Sequence, residues 1–492
     1  MKLWEMTIDE IDKNRRYNLA SCLSININKQ EKNMISESDL EKLSYPDAPR
    51  MITDKVPGPE TSKLLVESST YESLARGAGA FPCVYDEGLG ATVKDPDGNL
   101  YIDITAGVAV NSVGRRHPRV IKAIEEQLTK LMHATDMTNT RRIELATKVA
   151  GIMPEGLRGS CVSYFTQGGS GALETAIKFS RRVTGRSQIA AFHGAYHGVW
   201  CGSGSLTTGE VYRQGYGPSI PGVIHLPYPY CYRCCFNMEY PACDLQCAKY
   251  VDYVLNTPYT AADDVAVLII EPQQGEGGYV PPPPGYLAAI KTACENHGAL
   301  FLADEVQAGT GRTGKMWSIE HSSVQPDMLT WGKGMGGDMP MAGLTLRKKL
   351  ADKIPDGSQP NTFAGNAVAA ATAMTNIDIL TENDNALIQR AAKLGEEIKD
   401  WLWEGAVDSR VIGDVRGRGL MIGVEMVKNK ETKEPLDADT VGRIVFGLLE
   451  RGIIMVPCGR YGNVFRFMPP LTITREYCQK ASEILLEVVR TV

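Results

Sequence analysis

The residue of this chain with the clearest chemical potential is a lysine enclosed by glycines. Lys333 lies in the segment Thr330-Trp331-Gly332-Lys333-Gly334, directly after a short apolar run. Small neighbours leave room for a planar group beside the amine, and a partly buried lysine has a lowered pKa that makes its amine nucleophilic toward an aldehyde. Most lysines are solvated surface charges, so the assignment of a chemical role to Lys333 depends on further motifs in the sequence.

An acidic residue and a glycine-rich turn are two such motifs. Asp304 follows the apolar run 299–303, and a buried carboxylate is costly unless it meets a cation. The alternative is that Asp304 caps the following turn. The segment 164–171 runs into a glycine-rich turn and then a helical stretch, where backbone N–H groups can bind an anion such as a phosphate. The same glycines also occur in ordinary turns.

The elements that must position these residues are short apolar runs separated by helical segments. The runs are Gln188–Phe192, Val265–Ile270, 299–303 and Met328–Trp331, and helices such as 286–295 lie between them. Continuous apolar strands that alternate with helices predict a parallel sheet covered on both faces. Sites on such sheets gather at the carboxyl ends of the strands, which is where His193, Glu271, Asp304 and Lys333 lie.

The composition of the chain and its pattern of apolar and polar residues predict four regions. Residues 1–70 form a polar N-terminal tail or arm, and residues 71–115 form the N-terminal part of a small domain. Residues 116–375 form a large domain with a Cys-rich insert at 228–250, and residues 376–492 form the C-terminal part of the small α+β domain. In that last region helices such as 386–402 alternate with the strand-like runs 421–426 and 464–468.

Composition and charge favour a cytoplasmic enzyme that acts on small molecules. The 52 basic and 58 acidic residues give a net charge of −6, and no dense basic stretch predicts a nucleic-acid or membrane partner. The N-terminus lacks the apolar core of a secretion signal, and no apolar run is long enough to span a bilayer. Twelve cysteines in 492 residues are too few for a disulfide framework and agree with a reducing compartment.

Six dispersed segments resemble the class III aminotransferases in order and spacing. They are 167–178, Tyr196-His197-Gly198, 271–278 (EPQQGEGG), 304–314 (DEVQAGTGRTG), Lys333 and 361–366 (NTFAGN). The resemblance runs from about Gly77 to the C-terminus and is strongest to 4-aminobutyrate and related ω-amino acid transaminases. It implies an α/β protein of the fold-type I transferases that depend on pyridoxal 5'-phosphate (PLP). Their large domain has a mostly parallel central sheet flanked by helices, and their small domain is α+β.

The resemblance assigns the groups that would surround the PLP ring. Lys333 would bind the aldehyde covalently and later move the proton between the substrate Cα and the cofactor. Asp304 would pair with the ring nitrogen, and Gln307 would lie near the ring hydroxyl. Tyr196 would stack on one face of the ring and Val306 would pack on the other.

The resemblance also assigns the cofactor phosphate. Gly169 and Ser170 would bind the phosphate within the chain. Thr362, which lies 29 residues after Lys333 in the sequence, would reach the phosphate of the neighbouring subunit. The implied assembly is a homodimer or a higher homo-oligomer.

Two further residues would bind substrates in the resembled family. Arg466, in the segment 463–472, would bind the α-carboxylate of glutamate or 2-oxoglutarate, because its planar fork matches a carboxylate. Glu276 would pair with Arg466 when the amino donor has no α-carboxylate. The alternative is an ion pair that is only structural. The arginine that would bind the far carboxylate of 4-aminobutyrate cannot be placed, although Arg115 and Arg142 are among those nearby in sequence.

Two readings of the activity stay open within this resemblance. The favoured function is ping-pong transfer of an amino group from an ω-amino acid or small amine to a keto acid, with 2-oxoglutarate as the expected acceptor. The alternative is an amino acid racemase or epimerase of the same family, which returns the proton to Cα. Complete cofactor motifs argue against a non-catalytic protein.

The insert contains a cluster of cysteines with two interpretations. Cys231 and Cys234 form a CxxC pair, and Cys243 and Cys247 follow as CxxxC. Four soft ligands could bind structural zinc or an iron–sulfur group. We favour the other interpretation, reduced thiols that pack within a loop and no metal, because the second spacing is loose.

Overall fold

The computed structural model describes residues 36–75 and 81–492, and Gly77 and the first 35 residues of the predicted arm lie outside these ranges. A seven-stranded sheet forms the centre of the large lobe. In spatial order its strands are Cys161–Thr166, Ala342–Arg347, Met328–Trp331, Leu300–Asp304, Val265–Ile270, Gln188–Phe192 and Val223–Leu226.

The strands of this sheet are parallel except for one. Ala342–Arg347 pairs antiparallel with both of its neighbours, whereas the five strands from Met328–Trp331 to Val223–Leu226 pair parallel. All six residues of Val265–Ile270 are buried, as expected for a strand covered on both faces. The predicted parallel sheet is therefore confirmed. One boundary differs, because the strand predicted at 299–303 spans Leu300–Asp304 and includes the carboxylate.

Helices cover both faces of the sheet and extend between the lobes. Those of the large lobe are Pro118–Leu128, Thr140–Ile152, Gly169–Thr184, Cys201–Leu206, Gln246–Asn256, Tyr286–His297 and Lys348–Ala351. The long segment Ala367–Asp408 is helical on both sides of a break at residues 382–385, where three consecutive residues have positive φ. Its apolar residues pack in the cores of both lobes.

Two smaller sheets build the second lobe. One has the order Glu87–Leu89, Thr92–Lys94, Leu100–Asp103 and Ile453–Ile454. The other has the order Ile412–Arg418, Met421–Asn429, Val464–Phe467 and Pro457–Cys458, with Glu434–Pro435 at an edge. The helices Ala438–Glu450 and Arg475–Val489 complete a core shared with the C-terminal half of the long helical segment.

The segment before residue 72 packs against the smaller lobe. It contains the helices Glu37–Glu41 and Pro59–Tyr71. Glu37 accepts hydrogen bonds from the Arg390 guanidinium, and the backbone oxygen of Tyr45 accepts one from the Tyr477 hydroxyl. The described part of the predicted arm is thus held by tertiary contacts.

No helix in the described ranges has the length and apolar character that crossing a membrane requires.

Candidate active site

A buried carboxylate ends a central strand of the large sheet. Asp304 accepts a hydrogen bond from the Thr330 hydroxyl at 2.9 Å and one from the Val306 N–H at 3.1 Å. Its second oxygen lies 2.6 Å from Nδ1 of His197, which is also buried. The turn-capping contact expected as an alternative is therefore present, and it accompanies a longer network that fixes the carboxylate at the strand end.

His197 is a site residue to which the sequence assigned no role. Burial alone would lower the pKa of its imidazole, but the hydrogen bond to Asp304 raises that pKa above its usual value. Thr330 was missed in the same way, although its place three residues before Lys333 on an apolar strand was a signal.

Lys333 begins a short turn directly after the strand Met328–Trp331. Its backbone has a φ of 42°, in the left-handed region that residues other than glycine rarely adopt. Burial lowers the pKa of its amine to about 8. Within the described residues this amine has no hydrogen-bond or ion-pair partner. A strained backbone thus presents an unpaired amine that is partly neutral near pH 8.

A second carboxylate lies at the end of the neighbouring strand. Glu271 is buried, and burial raises its pKa to about 7. Its oxygens accept hydrogen bonds from the Tyr196 N–H at 3.1 Å and the Gly275 N–H at 2.8 Å. Glu271 therefore links the turn that contains Tyr196 to the turn that contains Glu276.

The glycine-rich turn ends at the helix Gly169–Thr184. No side chain caps this helix at Gly168, so the N–H groups of its first turn stay available to an anion. A Cβ at Gly169 would lie 2.8 Å from Cγ1 of Val306, and a Cβ at Gly198 would lie 2.2 Å from Oγ of Ser170. The glycines thus leave a cradle beside Ser170 that a side chain would fill.

The described residues fit PLP at this place. The Gln307 side-chain oxygen is buried without a hydrogen-bond partner and is available to the ring hydroxyl expected there. Tyr196 is half-buried at the same end of the sheet, and its ring packs edge to face against Tyr212, 5.1 Å between centroids. Asp304 supplies the anion that a protonated pyridine nitrogen needs. The roles assigned to these residues stay predictions.

Two substrate-binding candidates form an ion pair. The Arg466 guanidinium donates to a carboxylate oxygen of Glu276 at 2.7 Å, and the two side chains are 9% and 26% exposed. The other guanidinium nitrogens donate to backbone oxygens of Pro457 and Val456. Tyr212 lies close enough to Glu276 for that charge to contribute to the raised pKa of its hydroxyl, about 12, of which burial is the main cause.

Thr362 and the nearby arginines are placed as follows. The Thr362 side chain is exposed, and the adjacent Asn361 exchanges hydrogen bonds with Gln167 of the glycine-rich turn. The reach of Thr362 into a neighbouring subunit stays a prediction. Arg115 pairs with the buried Asp103 at 2.6 Å, and Arg142 pairs with Asp136 at 2.9 Å, so both have carboxylate partners in the chain.

The cysteines of the insert line one small cavity with aromatic walls. Cys231, Cys234, Cys243 and Cys247 all contribute to it, together with Cys235. Burial raises the pKa of Cys231 and raises that of Cys247 to about 12, so these thiols are protonated near neutral pH. No group of three or more His, Cys, Asp or Glu side chains within residues 36–75 and 81–492 is arranged to bind a metal ion.

Comparison with known proteins places this geometry in a family. The family model "Aminotransferase class-III" matches residues 73–489. The alanine/serine racemase of Pyrococcus horikoshii is 37% identical over 89% of this chain and 92% of its own length. The 4-aminobutyrate aminotransferase of Mycobacterium leprae is 34% identical over 89% of this chain and 98% of its own. The crystal structure of an aminotransferase from Bacillus anthracis, 30% identical, superposes with a TM-score of 0.81 over 88% of this chain and 99% of its own.

Proposed function

Because the chain belongs to the class III aminotransferases, which use PLP, we propose that it transfers an amino group from an ω-amino acid or a small amine to 2-oxoglutarate. The reaction is ping-pong, so the donor and the keto acid occupy one site in turn. The donor class is that of 4-aminobutyrate.

The observation that carries this proposal is the ion pair between Glu276 and Arg466. A keto acid such as 2-oxoglutarate has an α-carboxylate, which competes with Glu276 for the planar guanidinium. An ω-amine donor has none, and Glu276 then neutralises an arginine that would otherwise be buried without a carboxylate partner. One pocket can thereby accept both substrates of the ping-pong reaction. The Glu276–Arg466 distance of 2.7 Å is the arrangement expected for the donor half-reaction.

The residues around the cofactor then have defined tasks. Bound PLP supplies an electron sink that makes the substrate Cα–H acidic. Asp304, oriented by His197 and Thr330, would hold the ring nitrogen protonated. The Lys333 amine, with a pKa of about 8, would take the proton from the substrate carbon that bears the amino group and would deliver it to the cofactor on the same face. Gly169 and Ser170 would hold the phosphate.

We propose a homodimer located in the cytoplasm. Exposed apolar side chains occur in segments close in sequence to site residues, among them Trp200, Val211 and Phe363. Exposed apolar side chains of this kind favour contact with another protein surface. Phe363 lies next to Thr362, so a partner covering Phe363 would meet the threonine that the family resemblance assigns to the neighbouring phosphate.

A second candidate function is racemisation or epimerisation of an α-amino acid. The similarity to the alanine/serine racemase favours it, since that relative matches over as much of the chain as the aminotransferase does. Asp304 would have the same task, and Lys333 would again exchange a proton with Cα on one face. The difference is that Cα exchanges its proton on the opposite face with an acid or base other than Lys333, and no keto acid is consumed.

The test is a panel of donors with and without a keto acid. Purified enzyme would be incubated with 4-aminobutyrate, 5-aminovalerate, L-alanine or L-leucine, with 2-oxoglutarate or without it. Transamination requires glutamate to form in proportion to donor loss. Inversion of L-alanine or L-leucine in the absence of keto acid, without glutamate formation from ω-amines when 2-oxoglutarate is present, would replace the proposal with the racemase.

A further inference from the structure

Two arginines lie in one row of the five-stranded sheet of the smaller lobe. Arg416 pairs with Gly423 on the adjacent strand, and Gly423 pairs with Arg466 on the strand beyond. Residues paired across neighbouring strands project from the same face of a sheet. The two guanidinium groups therefore rise from the same face, with a glycine between them.

The turn that contains Glu276 lies over that glycine. A Cβ at Gly423 would lie 3.0 Å from Cβ of Tyr279 and 3.1 Å from the backbone oxygen of Gly278. The space left by the missing side chain is therefore filled by the turn 275–279. Arg466 contacts this turn through the Glu276 carboxylate, on one side of Gly423.

Arg416 contacts the turn from the other side. Its Nε and Nη2 atoms both donate to the Gly278 backbone oxygen, at 3.0 and 2.5 Å. Gly278 has a φ of 125°, a conformation that glycine adopts readily and side-chain-bearing residues rarely adopt, so the turn depends on a glycine at this position. The Arg416 guanidinium therefore binds the turn at a peptide two residues from Glu276.

The Arg416 guanidinium is itself held in place by further hydrogen bonds. Its Nη1 donates to Asp414 and to Glu425, both at 2.7 Å, and its Nη2 also donates to the Tyr230 hydroxyl at 2.7 Å. Arg233 makes a further ion pair with Glu425. Tyr230 and Arg233 belong to the Cys-rich insert, so this segment supports the arginine from the large lobe.

We propose that Arg416 is a positioning residue that sets substrate selection by holding the turn 275–279 where Glu276 can neutralise Arg466. This inference rests on the proposed function, because it assumes that the Glu276–Arg466 pair accommodates donors without an α-carboxylate. The hydrogen bonds of the Arg416 side chain go to Gly278, Asp414, Glu425 and Tyr230, none of which is assigned to substrate or cofactor. Its effect reaches the site through the Gly278 peptide.

The test compares Arg416→Lys with the wild-type holoenzyme in the two half-reactions. Lysine keeps a positive charge for Asp414 and Glu425 but lacks the fork that grips Gly278. We expect kcat/KM for 4-aminobutyrate to fall about tenfold, mainly through KM, because a misplaced Glu276 leaves Arg466 uncovered. The 2-oxoglutarate half-reaction should change less than about threefold, since that substrate supplies its own carboxylate.

A double variant ties the effect to Glu276. If Arg416 acts through Glu276, then adding Arg416→Lys to Glu276→Gln should cause no further loss with 4-aminobutyrate. Arg418→Lys is the matched control, because Arg418 lies two residues along the same strand and donates to Pro282 rather than to Gly278. It should leave the ratio of the two half-reactions unchanged. If Arg416→Lys does not fold, Tyr230→Phe removes one support of Arg416 and should shift the ratio in the same direction.

The outcomes separate this inference from the proposed function. Equal losses in both half-reactions for Glu276→Gln would overturn the two-substrate pocket and the role of Arg416 with it. A selective loss for Glu276→Gln together with equal losses for Arg416→Lys would overturn the positioning role alone. Additive losses in the double variant would also overturn it.

Discussion

Replacing Arg466 by alanine should separate the two half-reactions of the enzyme. The Arg466 side chain is 9% exposed, and its Glu276 partner is 26% exposed. Loss of one partner from a desolvated charge pair costs about 2–5 kcal/mol, and the partial exposure of Glu276 favours the lower part of this range. A loss of about 2.7 kcal/mol corresponds to a fall of about 100-fold in kcat/KM for 2-oxoglutarate.

The donor half-reaction should lose much less in the same variant. An ω-amine donor makes no α-carboxylate contact with Arg466, and the Glu276 carboxylate left behind is partly solvated. We expect a loss of about tenfold or less with 4-aminobutyrate.

Single-turnover measurements can test this difference directly. Each half-reaction would be followed by the absorbance of the cofactor over a range of substrate concentrations. Arg466→Lys is the matched control, because it keeps the charge and loses the planar fork, and it should fall between the wild type and alanine with 2-oxoglutarate. Equal losses in both half-reactions would refute the reasoning and leave a structural ion pair.

Three further predictions concern the cofactor and the cysteines. Lys333→Ala should retain PLP through other contacts but lose nearly all turnover, and borohydride should fix PLP to Lys333 in the wild type; labelling of another lysine would contradict the assignment. Thr330→Val removes one hydrogen bond from Asp304 and should weaken PLP binding by about 1 kcal/mol, measured by cofactor titration; an unchanged affinity would argue against that support. Purified protein should contain no stoichiometric zinc or iron, since the insert cysteines form no metal-binding arrangement in the described structure; one ion per chain, lost in the double variant Cys231→Ser/Cys234→Ser, would contradict this.

The sequence predicted well those features that depend on short segments. Continuous apolar runs such as Val265–Ile270 become buried parallel strands, because a strand covered on both faces needs no alternation. Lys333 and Asp304 could be singled out since each ends such a run, and the chain reverses at strand ends. The glycine-rich turn before the helix that begins at Gly169 could be predicted from the sequence for the same reason.

Contacts between distant parts of the chain could not be predicted in this way. His197 and Asp304 are 107 residues apart, and Arg416 and Gly278 are 138 residues apart. Their approach depends on how strands order themselves in the sheets, which local patterns do not specify. The charged residues of the insert, such as Arg233, could equally be solvated, and only the packing of the two lobes pairs Arg233 with Glu425.

The N-terminal arm has a practical consequence for shortening the protein. The family model begins at residue 73, so a truncation guided by it would start the chain there. Leu40, Ala48 and Val56 are buried, and Ala48 belongs to the apolar core of the smaller lobe. Removing the arm would uncover apolar surface and favour aggregation. A shortened form of the protein should therefore keep Ser36 and the residues that follow it.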